Sequence, residues 1–262
     1  MRTSQNPNKD SKVKPLERVT VLVVTHLPET KSAYHKDRMS VISKSLVSLL
    51  DNANIEFNFI VWDNGSCDTL RDYLKELPID SLILSRNIGK TNALKFVMRG
   101  LPEGSIFAYG DDDIEYFYDW LRPQIEILEN FPQVGTVTGY PTVIQGRWTK
   151  TPNIEGSQIE SGKFIPQEWE RDFALAHGRE WNMHYANTLN DKTTRITYKG
   201  LQAYCLGHHC QFVCYPEKIE PLYNWSDRAM LPEQPIDKEI DNAGLYRFST
   251  INRYARHIGN VL

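Results

Sequence analysis

Residues 105–113 read Ser-Ile-Phe-Ala-Tyr-Gly-Asp-Asp-Asp, a short apolar run that ends in three adjacent carboxylates. Adjacent acids repel one another, and packing gives no reason to place Asp111, Asp112 and Asp113 at the end of a buried strand. A hard divalent cation does give one. Mg²⁺ or Mn²⁺ takes oxygen ligands and commonly divides them between one or two carboxylates and the phosphates of a substrate. In open α/β sheets, ligands bind beyond the carboxyl ends of the strands, where these acids would stand. The plain alternative is an acidic turn capping the helix that follows, since Asp is favoured at helix starts. One Asp suffices for a cap, so three point to a metal.

The elements that must position these acids are legible in the first half of the chain. Residues 18–25 form a β-branched run without strong alternation, the pattern of a strand buried on both faces. Further strands are expected at 57–62, 81–85 and 105–109, with helices at 39–50, 68–77 and 90–100. Strand and helix alternate, which implies α/β architecture with a mostly parallel central sheet and helices on both faces. Beyond residue 135 the pattern changes. A strand is expected at 136–144, another at about 210–215, and a short helix at 236–243 closed by Gly244. Residues 145–200 read as polar, aromatic and irregular, with Trp148, Trp169 and Trp181 as core or as platforms for sugar faces.

Composition sets limits. The chain has 262 residues, 40% of them apolar, a formal net charge of −3 and a pI near 6.2. That supports one sizeable core and offers no basic surface for nucleic acid. Residues 1–16 are expected to be a disordered arm and 17–262 a single domain, its halves 17–135 and 136–262. With no bilayer-spanning apolar stretch and no signal-peptide core at the start, the expected location is cytoplasmic, with peripheral membrane contact left open. Cys67, Cys205, Cys210 and Cys214 are then expected as free thiols. The last three flank His208 and His209 without any common zinc spacing, so those histidines are expected to be structural.

Four segments fall at or just after strand ends: Thr25-His26, Asp63-Asn64-Gly65-Ser66, Asn87-Ile88-Gly89-Lys90 and the acids at 111–113. At one sheet edge they would line a polar crevice, with Asp63 accepting from a base or ribose and Asn64-Gly65 making a tight turn. Gly89-Lys90-Thr91 echoes a phosphate loop, but Leu84 stands where that pattern needs its first glycine.

The order of these motifs resembles the A-type (GT-A, Rossmann-like) nucleotide-sugar glycosyltransferases, in particular family 2. The resembling residues are Val23-Val24-Thr25, Asp63-Asn64-Gly65-Ser66, Asn87-Ile88-Gly89 with Asn92-Ala93, and Asp111-Asp112-Asp113; later come Glu233, Ala243-Gly244-Leu245-Tyr246 and His257-Ile258-Gly259-Asn260. The resemblance covers about 18–135 and 203–260, leaving 145–200 as an irregular acceptor-side region. It implies a transferase that moves a sugar from a UDP-, GDP- or dTDP-sugar to a saccharide, lipid-linked or other hydroxyl acceptor, with inversion and with Mn²⁺ or Mg²⁺. It implies donor contacts at Thr25, Asp63, Asn64, Asn87, Gly89, Lys90, Asp111 and Asp112, and a metal at Asp113 with Asp111 and His257. Glu233 falls at the register of the general base, with Asp227 and Asp237 as rivals. Two other readings stay open: a sugar-nucleotide pyrophosphorylase, disfavoured by Thr25-His26-Leu27-Pro28 where a Gly-rich loop is needed, and a nucleotide-sugar-binding protein without turnover.

Overall fold

The computed structural model describes residues 12, 15–29, 35–225 and 234–259, with side chains from 236 onward in the last segment. Glu233, Asp227 and Asn260 lie outside the described residues, as does most of the expected N-terminal arm. In chain order the strands and helices are β1 (Val19–Thr25), α1 (Arg38–Asp51), β2 (Asn58–Asn64), α2 (Asp68–Glu76), β3 (Ser81–Ser85), α3 (Lys90–Gly100), β4 (Ile106–Asp111), β5 (Ile114–Tyr116), α4 (Arg122–Asn130) and β6 (Val134–Thr138). They continue with α5 (Val143–Gly146), β7 (Gln158–Gly162), α6 (Gln167–Ala176), α7 (Trp181–Thr188), β8 (Thr193–Tyr198), β9 (Leu201–Tyr204), β10 (Gln211–Cys214), α8 (Pro216–Ile219), α9 (Gln234–Asn242), β11 (Tyr246–Ser249) and β12 (Ala255–His257).

Ten of the described strands form one sheet in the order β3-β2-β1-β4-β10-β6-β11-β9-β8-β7. The first four run parallel. β10 then enters antiparallel between β4 and β6, and β9, β8 and β7 extend the sheet antiparallel. The parallel character is thus concentrated in the first half, and the second half is mixed.

All seven residues of β1 are buried, and its two faces feed different cores. Val19, Val21 and Val23 join Ile42, Leu46 and Leu49 of α1. Leu22 and Val24 join Ala93, Leu94, Val97 and Met98 of α3. A strand covered on both sides gains from apolar residues at every position, which is why its sequence shows no alternation.

Three sequence expectations change. No helix follows the acids directly: Ile114–Tyr116 is a strand, and α4 starts only at Arg122, so the capping alternative has no helix to cap. The strand expected at 136–144 is Val134–Thr138. Tyr140-Pro141 lies beyond its end, and proline cannot donate to a ladder. Residues 145–200 are ordered into α6, α7, β7, β8 and part of α5 rather than irregular. Glu170 is central to that packing. Its Oε2 accepts from the Val143 amide at 2.7 Å, and its Oε1 lies 2.9 Å from His184 Nε2, which ties α6 to α5 and α7. All four cysteines are free. Among the described residues no helix is long and apolar enough to cross a membrane.

Candidate active site

Ladder register brings the strand-end residues together. Across the parallel strands Thr25 pairs with Asp63, Val24 with Asp111, and Asn64 with Ser85. Side chains on neighbouring strands lie about 5 Å apart, so three sequence segments separated by tens of residues share one edge. A second, two-stranded ladder does the same for the C-terminus. β12 runs antiparallel to β5 with His257 opposite Ile114, and the Ile258 amide donates to Asp113 O at 2.9 Å.

The turn after β2 is closed on itself. Asp63 is fully buried and accepts from the Ser66 amide at 3.2 Å and from Arg71 Nε at 2.9 Å. Asn64 accepts from the Ile88 amide at 2.8 Å and donates to Asn87 Oδ1 at 3.1 Å, while Asn87 Oδ1 also takes the Gly89 amide at 2.9 Å. Asn64, Asn87 and Gly89 are therefore one network that fixes the start of α3. Gly65 has φ +85°, and a Cβ there would sit 2.8 Å from the Asn87 amide nitrogen, a backbone atom that cannot step aside. Gly65→Ala is expected to cost about 1–3 kcal/mol from the left-handed backbone alone. The check is urea unfolding, in which the midpoint should fall while the slope stays unchanged.

Each of the three acids meets a basic side chain, and Asp112 and Asp113 share one of them. Asp111 meets Lys90 Nζ at 3.1 Å and accepts from the Tyr109 hydroxyl. Lys90, expected from the resemblance as a donor contact, is thus the first residue of α3 and faces Asp111. Asp112 pairs with Arg38, and its Oδ2 takes the His26 amide at 3.3 Å. Asp113 Oδ2 pairs with Arg38 Nη1 at 2.9 Å, and its Oδ1 lies 3.2 Å from His257 Nε2. Burial raises the Asp112 carboxyl to about 7; Arg38 opposes this, and the charges of Asp113 and Asp111 add to it. At Asp113 burial would also raise the carboxyl, but the His257 contact and Arg38 outweigh it and hold the group well below the usual carboxylate range. For His257, burial favours the neutral ring, but Asp113 and Asp111 overcome it and raise its pKa.

Two residues here were not singled out in sequence. Arg38, the buried first residue of α1, holds two of the acids, and no spacing rule links it to residues about 75 positions away. His177, at the exposed C-terminal end of α6, packs its ring 4.6 Å from that of His257. Partial burial and then the charge of His257 push its pKa down to about 4. Of the other expected residues, Thr25 is fully buried with its hydroxyl unpaired. Asp237, a rival base, faces the buried Arg247 at 3.0 Å. His208 is buried, stacks on Tyr140 and places Nδ1 2.9 Å from Cys210 Sγ, a structural environment. Trp148 is 68% exposed, while Trp169 lies partly buried against Arg253.

The model of the family described as glycosyl transferase family 2 matches residues 33–206, more than half the chain. The chain belongs to that family. No curated protein matches the sequence. Among solved structures, GalNAc-T7 with UDP, GalNAc and Mn²⁺ is 12% identical with a TM-score of 0.52, over 94% of this chain and 44% of that one, which shows a shared fold. A mannosyltransferase from Pyrobaculum calidifontis in complex with GDP-Man and Mn²⁺ is 24% identical over 47% of this chain and 38% of that one, with a TM-score of 0.34. S. aureus TarS is 20% identical over 46% and 21%, with a TM-score of 0.33. The chain spans less than half the length of each of these proteins.

The donor set of this family 2 chain suits a divalent cation. Asp113 Oδ1 is buried, and no group meets it with hydrogen-bond geometry, although His257 Nε2 is near. Among the described residues no three His, Cys, Asp or Glu side chains converge as a closed metal cage. A cation shared with a diphosphate needs no such cage, because it commonly keeps one or two protein ligands and takes the rest from phosphate and water. Asp113, with Asp111 and an adjacent imidazole, is the set that would hold it.

Proposed function

We propose that this family 2 chain transfers a sugar from a nucleoside-diphosphate sugar to an acceptor hydroxyl, with inversion, using Mn²⁺ or Mg²⁺. The observation that carries the reading is Asp113 beside His257, with an unpaired carboxylate oxygen, at the edge where β1, β2 and β4 end. A divalent cation held there would supply positive charge to the departing diphosphate. Lys90, already facing Asp111, adds a second positive group on the same side. Thr25, Asp63 and the Asn64–Asn87 turn form the floor for the nucleoside, and the backbone of that turn is fixed before the donor arrives. Inversion needs a base on the face opposite the leaving group. Glu233 is the proposed base: its carboxylate takes the proton of the acceptor hydroxyl as the new oxygen–carbon bond forms and the bond to the diphosphate breaks. Acceptors would be a saccharide, a lipid-linked sugar or another hydroxyl. The proposed setting is the cytoplasm, with peripheral contact at the inner face of a membrane when the acceptor is lipid-linked.

A thermal-shift panel of UDP, GDP and dTDP with Mn²⁺, Mg²⁺ or chelator tests the donor half. One nucleotide should stabilise the protein in a metal-dependent way, by about 2.7 kcal/mol at a hundredfold excess over its dissociation constant. No shift with any pair would remove the reading. Glu233→Gln tests the base: transfer should be lost with donor binding retained, and unchanged transfer would remove Glu233 from the mechanism.

A further inference from the structure

Of the three tryptophans read from sequence as core or as sugar platforms, the fold leaves one bare. Trp169 lies against Arg253, and Trp181 packs on His184 and Tyr185 of its own helix. Trp62, Trp120 and Trp225 also each meet a ring or a cation. Trp148 is 68% exposed, and among the described residues its indole meets neither. Tryptophan is highly buried on average, so a bare indole on a fixed backbone asks for a partner.

The backbone beneath it is fixed. The Trp148 amide donates to Gln145 O at 3.3 Å, and Thr149 Oγ1 donates to the same carbonyl at 3.0 Å. Arg147 ties the turn to the end of α7, through Asp191 at 2.6 Å and the Asn187 carbonyl. On the other side Trp148 O accepts from Arg247 Nη2 at 2.7 Å. Arg247 is buried, and the same guanidinium meets Asp237 at 3.0 Å and Asp241 at 3.2 Å, one turn apart on α9. A pre-ordered aromatic loses little freedom on binding, which favours it as an anchor.

The segment that carries the indole also runs between the two halves of the proposed chemistry. It leaves the carboxyl end of β6, where Gly139 O accepts from the Tyr254 and Ala255 amides at 2.7 and 3.0 Å. Those residues lead into β12, whose His257 stands beside Asp113. At the far end of the segment, Arg247 registers Trp148 against α9, which starts at Gln234, the residue after the proposed base. An inverting transfer brings the acceptor hydroxyl in between the metal edge and that base.

We infer that Trp148 is the platform on which the pyranose ring of a saccharide acceptor stacks, with the apolar C–H face of the sugar against the indole. This rests on the transfer reading proposed above. A membrane contact would gather several apolar side chains on one face. Trp148 instead stands alone among Gln145, Thr149, Lys150 and Asn153, whose polar groups suit the hydroxyl rim of a sugar and not acyl chains.

Steady-state kinetics test this, with the nucleotide sugar chosen from the thermal-shift panel and a panel of methyl glycosides as acceptors. Trp148→Ala should raise the acceptor KM about tenfold. Its kcat, donor KM and metal-dependent nucleotide shift should stay close to wild type, since a contact made equally in ground and transition states shows in KM alone. Trp148→Phe keeps an aromatic face and should recover most of the loss. Both variants should melt as the wild type does, because the indole is exposed and Arg247 holds a backbone carbonyl that each variant keeps. An unchanged acceptor KM in Trp148→Ala would overturn the inference. If that variant also left anionic phospholipid vesicles that the wild type binds, the indole would be a membrane contact instead. A wild type that shows the nucleotide shift yet transfers to none of the glycosides would overturn it too, with the donor reading left standing. No nucleotide shift at all would remove the donor reading, and the inference with it.

Discussion

Asp113→Asn is expected to lower glycosyl transfer about a thousandfold while leaving the fold intact. The loss corresponds to roughly 4 kcal/mol of charge stabilisation at the leaving diphosphate, the order expected when a Lewis-acid site or one fixed donor is removed. Asparagine matches the volume of aspartate and can still accept from Arg38, so the Arg38–Asp112 pair stays seated. What disappears is the ionised oxygen that faces His257. Mn²⁺ titration and turnover should fall together, with a thermal midpoint close to the wild type. Unchanged turnover in a well-folded Asp113→Asn protein would mean that the acids at 111–113 serve the fold and not the reaction.

Arg38→Met should produce the largest stability loss. Methionine keeps much of the side-chain length and removes the charge. Asp112 and Asp113, 5% and 7% exposed, would then be left in a dry site with their mutual repulsion unopposed on that side. Breaking a buried ion pair by deleting one partner costs about 3–5 kcal/mol, because the remaining charge is uncompensated. Chemical denaturation reads the loss directly. Adding Asp112→Asn to Arg38→Met should recover part of it, since burial already raises the Asp112 carboxyl to about 7 and Arg38 is what opposes that. The coupling between the two changes should be well above the few tenths of a kcal/mol expected for independent sites. Additive losses would show that Arg38 stabilises the chain by some route other than its carboxylates.

The halves of the chain differ in how much they disclose. β1, β2, β3 and β4 and the helices between them are readable to within a residue or two, because β1, β2 and β4 are largely buried runs and the helices carry apolar stripes, with β3 a short half-exposed edge strand between two helices. The strand expected at 105–109 is Ile106–Asp111, and the helix expected at 39–50 is Arg38–Asp51. The second half hides its order. β7, Gln158–Gly162, is an edge strand with four exposed residues and one half-buried, so it has no alternation to detect. α7, Trp181–Thr188, buries only His184 and Thr188, and its helix-start partner is the side chain of Glu180, which is not a usual capping residue.

The site divides along similar lines. The strand-end motifs were legible because parallel strands bring their carboxyl ends together whatever lies between them. His257 was expected only through the family resemblance, and β12 places that histidine beside Asp113. Arg38 and His177 were not visible. An ion pair between a helix start and a strand end has no periodicity. A histidine at a helix C-terminus gains its meaning only when that helix is docked against another segment, here at Gly259. Asp63 shows the opposite case: its motif was plain, yet its carboxylate is occupied by Ser66 and Arg71 within its own turn.

The central claim is that a nucleoside diphosphate and a divalent cation occupy the edge where β1, β2 and β4 end. Crystals grown with Mn²⁺ and the nucleotide that gives the largest thermal shift would test it by anomalous scattering. The account predicts a manganese peak within ligand distance of Asp113, about 2.0–2.2 Å as for other small divalent cations, with diphosphate oxygens completing the shell and the nucleoside against Thr25 and the Asn64–Asn87 turn. A nucleotide bound elsewhere, or an ordered nucleotide at this edge with no metal at Asp113, would contradict it.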